Sequence, residues 1–246
     1  MAQAAKHRHA PDTGYARGEE TRARIVTTAL RLFGEHGFDG ASTRDIASAA
    51  GVNAPALQYY FDSKEGLYLA CVEHIVEHVW QEMSEVVEAA ERVLKAHAGD
   101  AELIDAFCAI QARLTEFMFT SSGADDWRLF MARQQSGMEP ASGFEIFYER
   151  VNRRMSAVTA GIVGRLIGRP AKDAETLIRT VALQGQLVVF QIKRRSVLTA
   201  LNWDSMNAAR LALLNRIIRE HTTTLLGSMV AMRDAAQAAP ARKSSR

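Results

Sequence analysis

The segment Ala41–Phe61, ASTRDIASAAGVNAPALQYYF, constrains this chain more than any other. Its spacing predicts two short helices joined by a tight turn at Gly51. Ser42 is a good N-cap, and Asp45, three positions on, is placed to reach back toward its amide, like a capping box with a shorter acid. Ile46, Ala47 and Ala50 give one small apolar face. Gly51 stands where a positive φ is needed to leave the helix and turn sharply. Asn53 caps the next helix, and Pro55 sits in its first turn, where a missing N–H costs nothing. Leu57 and Phe61, four apart, face inward. A helix serving only a core would not place Gln58, Tyr59 and Tyr60 in a row. This is the grammar of a helix-turn-helix whose second helix enters a DNA major groove. The plain alternative is a helical hairpin of an all-α protein.

Upstream, Ile25, Ala29, Leu32 and Phe33 recur at helical spacing and predict an amphipathic helix over Glu19–His36. Gly34, Gly37 and Gly40 end it. Downstream, Ser63 caps a long helix from Lys64 to about Ala96. Further helices are expected over Ala101–Thr120, Asp125–Gln135, Ser142–Ile167, Asp173–Lys193 and Ser205–Met232, with Gly99, Gly137 and Gly168 among the stops. No strand alternation interrupts them. The expected fold is all-α, with an N-terminal three-helix DNA-binding domain over 19–62 and a six-helix ligand-binding and dimerisation domain over 63–233. A basic arm (1–18) and a tail (234–246) are expected to be disordered.

Charge sets the next limit. Formal net charge is only +2 over 246 residues, so general polyanion binding is excluded and DNA affinity must come from a local patch. Lys6, Arg8, Arg17, Arg22 and Arg24 supply one; the arm either follows a phosphate backbone or is a solvated tail. Residues 1–24 lack the apolar core of a signal peptide, and no apolar run is long enough to span a bilayer. Two cysteines, Cys71 and Cys108, are too few for a disulfide framework. The expected location is the cytoplasm, with no membrane partner.

The stretch TRARIVTTALRLFGEHGFDGASTRDIASAAGVNAPALQYYFDSKEGLY resembles the DNA-binding domain of the TetR family of bacterial regulators. The resemblance implies a homodimer on a double-stranded DNA operator, with a small-molecule inducer bound by the C-terminal helices. By position it implies that Arg44 reaches a base edge, where its fork suits guanine. Ser42 and Thr43 would contact phosphate at the helix start, and Asn53, as its cap, opens the reading helix. Ala54, Pro55 and Ala56 would face the bases, Tyr59 and Tyr60 the backbone, and Lys64 would add a charge. Gln58 departs from the family, which usually has Tyr there; the glutamine either pairs with adenine or donates to phosphate. WRLFMARQQSGMEPASGFEIFYERV, with ALQGQLVVFQIKRR and LNW, is also similar to the CerR-type (YbiH-type) subgroup, which implies control of efflux or envelope functions.

Leu183, Leu187, Val188 and Phe190, with Leu211, Leu214, Ile217, Ile218, Leu225 and Met229, predict two helices that build a four-helix dimer bundle. Phe107, Leu114, Phe117, Met118, Trp127, Phe130, Met131 and Phe147, with the amides of Gln111 and Gln184, are the candidate ligand pocket; ordinary core packing is the alternative. Cys71, His74 and His78 lie near one helical face and support an alternative reading as a metal- or thiol-responsive regulator, or else are incidental. No metal or cofactor is expected otherwise. No nucleophile elbow, phosphate loop or paired-carboxylate motif is present, so an enzyme is not expected.

Overall fold

The computed structural model describes residues 12–120, 124–137 and 139–238. Among them the regular elements are all helical: α1 (Asp12–Gly40), α2 (Thr43–Ala49), α3 (Ala54–Phe61), α4 (Lys64–Lys95), α5 (Asp100–Thr120), α6 (Ala124–Gln135), α7 (Ala141–Phe147), a π turn (Tyr148–Asn152), α8 (Arg153–Ile167), α9 (Ala174–Ile192), α10 (Arg194–Ala200) and α11 (Ala208–Ala238). The chain forms two compact units. One holds residues up to His74 together with Leu129–Phe144, and the other holds Ile75–Arg128 and the chain from Glu145 onward.

In the first unit α1 buries Ile25, Val26, Ala29, Leu30 and Phe33, which meets Tyr68 of α4 edge-on at 5.3 Å between ring centroids. Gly37 breaks α1 with φ 78° and ψ 170°. The carbonyls left open before that break are taken by Arg133 of α6, whose Nε donates to Gly34 O at 2.7 Å and Nη2 to Glu35 O at 2.9 Å. The Phe38 N–H beyond it donates to the Glu139 carboxylate at 2.9 Å. These three bonds explain why residues near 133 and 139 belong with a unit whose other described residues are 12–74.

The second unit is held by α5 against α11, α8 against α9 and α11 against α8. Gln111 joins three helices through one amide, donating to Leu183 O at 3.0 Å and accepting from the Thr222 hydroxyl at 2.8 Å. Arg165 donates to the Leu94 and Ala98 carbonyls, closing the end of α4. Arg233 of α11 grips Asp100 of α5 with both ends of its guanidinium, which holds the Asp100 carboxyl below its usual range.

Several boundaries differ from expectation. The helix expected over Ser142–Ile167 is one run from Ala141, but it passes through the π turn, where the Trp80 indole donates to the Arg150 carbonyl. A further helix, α10, occupies what reads as the basic end of α9. The helix expected over Asp173–Lys193 ends at Ile192, and α10 begins directly after Lys193. α11 starts at Ala208, with Asn207 accepting from Arg210 N, and continues to Ala238 into the segment expected as a tail. α1 likewise covers 12–18 of the expected arm; residues 1–11 and 239–246 lie outside the described residues. Among the described residues no helix is long and apolar enough to cross a membrane.

Candidate nucleic-acid interface

The turn between α2 and α3 closes with paired bonds, Gly51 N–H to Ser48 O at 3.1 Å and Val52 N–H to Ala47 O at 2.9 Å. That pairing requires a left-handed residue between them, and Gly51 has φ 67°. Arg24 of α1 locks the same corner by donating to Ala50 O at 3.0 Å. Ser42 accepts from Asp45 N at 3.1 Å, as an N-cap should. The Asp45 carboxylate reaches the Ser42 hydroxyl at 2.6 Å, not the amide: aspartate is one methylene shorter than the glutamate of a full capping box. Asn53 caps α3 by accepting from Ala56 N at 2.8 Å, with Pro55 in the first turn.

With Ile46, Ala47, Leu57 and Phe61 buried, the remaining side chains of α2 and α3 are exposed or half-buried. Arg44 is exposed, and among the described residues no ion pair or side-chain hydrogen bond engages it. Ala54 and Pro55 are exposed at the start of α3, while Ala56 and Thr43 are half-buried. Tyr59 is 82% exposed and meets the half-buried Tyr60 edge-on at 5.4 Å. Gln58 is exposed, and its amide donates to the Asp62 carbonyl at the end of its own helix. Lys64 lies over the Phe38 ring at 4.7 Å and reaches Asp39 O at 3.4 Å. All of these belong to one unit.

The matches to known families fall on both units. Residues 25–71 match the family described as bacterial regulatory proteins, tetR family, and residues 103–229 match the C-terminal domain of the HTH-type transcriptional dual regulator CecR. The chain belongs to the TetR family. It is 27% identical over 210 residues to CecR of Shigella flexneri, covering 85% of this chain and 93% of that one. The regulator BetI of Rhizobium meliloti is 26% identical over 161 residues, 65% of this chain and 72% of its own. Two crystal structures share the fold: a transcriptional regulator from Pseudomonas aeruginosa (TM-score 0.61, 16% identity, 91% and 99% of the two chains) and AibR in complex with isovaleryl coenzyme A and operator DNA (TM-score 0.56, 12% identity, 85% and 97%). The protein is thus a TetR-family transcriptional regulator, and its relatives are regulators, not enzymes.

The residues read as a ligand pocket fall in both units. Phe130 and Met131 fall in the first unit, where the Phe130 ring lies tilted against Tyr68 with 4.9 Å between centroids. In the second unit Phe107 and Gln111 are buried in the α5–α11 core, and Leu114 packs with Phe119 and Phe190 against Leu187, Leu214 and Ile218. Phe117 tilts over Trp127 at 5.6 Å, and Gln184 donates to the Thr159 hydroxyl at 3.0 Å. Met118 and Phe147 are half-buried on α5 and α7.

The arrangement of Cys71, His74 and His78 lends the metal- or thiol-responsive alternative no support. Cys71 is fully buried, its Sγ 3.7 Å from Val26 O, and burial pushes its thiol well above the usual range. His78 instead stands edge-on to Trp127 at 5.0 Å. Among the described residues no three His, Cys, Asp or Glu side chains converge to hold a metal. Spacing along a helix placed the residues on one side, but it could not reveal that the sulfur points into the α1–α4 core.

Arg133 and Glu139 were invisible to the sequence reading as parts of the DNA-binding unit. Their partners lie 99 and 101 positions away, and no local pattern carries that information.

Proposed function

We propose that the protein is a homodimeric repressor that reads a palindromic operator through α2 and α3 and is released by a small, largely apolar inducer bound in its second unit. The observation that carries this reading is the capped α2–turn–α3 pair, on which Arg44, Ala54 and Pro55 are exposed. Ser42 and Thr43 at the start of α2, with Tyr59, Tyr60 and Lys64, position the backbone, and Arg44 discriminates bases. Gln58 contacts the backbone or a base only by releasing the Asp62 carbonyl. Induction requires the ligand to bind two conformations unequally. α4 and α6 each contribute residues to both units and are the elements through which such a difference passes. The regulated genes are proposed to serve efflux or membrane transport, and the place of action is the cytoplasm. The description of the Shigella relative as a dual regulator supports a second reading, in which the same operator complex also activates.

The test is selection of bound genomic fragments by the purified protein at physiological salt. Recovery of a short palindrome near promoters supports the reading, and its position relative to each promoter separates repression from activation. Recovery of only salt-sensitive, sequence-independent background, with and without extracts of candidate inducers, refutes it.

A further inference from the structure

Three of the cations expected to form a local patch for DNA, Arg17, Arg22 and Arg24, lie on α1. Two of them engage the protein itself. The Arg24 Nε donates to the Ala50 carbonyl at 3.0 Å, and the Arg22 guanidinium lies over the Phe61 ring, 5.5 Å from its centroid. Ala50 closes α2 and Phe61 is the last residue of α3, so α1 holds the ends of both helices of the reading pair. One turn before Arg22, a Cβ at Gly18 would stand 3.8 Å from the Tyr60 hydroxyl, so α1 passes close to α3 there as well.

The end of α2 shows what Arg24 supplies. The last carbonyls of a helix find no partner within it. Ile46 O takes the Ala50 N–H, Ala47 O the Val52 N–H and Ser48 O the Gly51 N–H. Ala50 is only 3% exposed, and its carbonyl is met by Arg24, a cation at the negative end of the helix. That carbonyl and the Gly51 N–H belong to one planar peptide unit. Arg24 holds one edge of the plane and Ser48 O the other, directly before the left-handed residue on which the turn is built. We propose that Arg24 is a positioning residue for operator reading: it acts through the Ala50–Gly51 peptide plane, which sets the angle between α2 and α3, and not as a phosphate contact. Its effect on the operator rests on the reading of α2 and α3 given above; its hold on the turn does not.

The bond is made by Nε, and the amide nitrogen of glutamine stands the same number of bonds from the backbone. Arg24→Gln therefore keeps a donor for Ala50 O and loses the charge, whereas Arg24→Lys keeps the charge and has no N–H at that position. Arg24 is exposed and the buried face of α1 is untouched, so these variants keep the wild-type helical content. The full-length wild type and the Ala, Gln and Lys variants are titrated by anisotropy with the selected operator and with random duplex over a series of salt concentrations. Arg24→Ala is expected to lose about tenfold on the operator and no more than about twofold on random DNA. Arg24→Gln is expected to stay within about threefold of wild type and to bind the operator tighter than Arg24→Lys. The slope of log affinity against log salt is expected to be that of wild type throughout. A phosphate contact gives the reverse: Ala and Gln equally weak, Lys near wild type, and a salt slope lower by about one wherever the charge is lost. That result overturns the proposal. Hydrogen exchange on the same samples reads the turn without DNA. The Gly51 and Val52 amides are expected to exchange about tenfold faster in Arg24→Ala, with the amides of α4 unchanged. Unchanged exchange at the turn overturns the proposal even where no operator is recovered. Faster exchange with unaltered operator affinity overturns it too, because the operator is then not read through that angle.

Discussion

Arg44 is a long, exposed cation on α2, and among the described residues no ion pair or side-chain hydrogen bond holds it, which suits the base-reading role proposed for it. A bidentate pair from a guanidinium to guanine O6 and N7 gives discrimination that a phosphate contact cannot. Arg44→Ala is expected to weaken the selected operator by roughly 1–3 kcal/mol and random DNA by less, read by fluorescence anisotropy on both duplexes. Equal loss on both would make Arg44 a phosphate contact. Gln58 differs at the same scale: its amide already satisfies the Asp62 carbonyl at the end of α3, so any base contact exchanges one hydrogen bond for another.

At the scale of elements, Gly51 after α2 and Gly66 in the first turn of α4 separate backbone strain from steric exclusion. A Cβ on Gly51 would meet nothing within 4 Å, so Gly51→Ala pays only for φ 67°. Gly66 is different, because a Cβ there would lie 2.3 Å from the Phe61 carbonyl oxygen, and the junction of α3 and α4 would have to move. Gly51→Ala is expected to lower unfolding free energy by about 1 kcal/mol and to keep operator affinity. Gly66→Ala is expected to lower it by about 2–3 kcal/mol and to weaken the operator as well, because α3 is displaced. Urea denaturation and anisotropy on the two variants check the order; equal effects would show that the junction yields freely. The α2–α3 pair was legible because its signals, Ser42, Gly51 and Asn53, are local and each has one backbone role. α10 was not, since a basic run marks both a helix end and a helix surface. The inward side of α9 was only half legible. Leu183 and Leu187 are core, as are Leu211, Leu214 and Ile218 of α11, although all five read equally well as dimer contacts. A helix apolar on two sides has a periodicity that cannot say which side meets its own domain.

For the whole molecule, the outer side of α9 is the surface that the proposed dimer would use. Ile178, Val181, Gly185, Val188 and Ile192 repeat at alternating steps of three and four, the seam of a helix that packs on another helix. Ile178, Val181 and Ile192 are 69%, 66% and 67% exposed, more apolar surface than a lone helix leaves in water without a partner. Leu213, Leu225 and Met232 stand exposed on α11. A Cβ at Gly185 or Gly227 would meet nothing, so each helix has a place where a second backbone can approach closely. In the proposed homodimer a second copy of the same two helices would cover this surface by twofold symmetry. Two reading helices then have a fixed separation, which a palindrome with half-sites about 34 Å apart, or a multiple, demands. The double substitution Ile178→Glu, Val181→Glu is expected to give a folded monomer by light scattering, because neither side chain contributes to the core of its own chain. Its operator affinity should fall on the order of a hundredfold or more, since each half-site must then be bound without the gain in effective concentration that a dimer supplies. A variant that stays dimeric would place the interface elsewhere. One that is monomeric yet binds the full operator normally would break the link between palindrome and dimer.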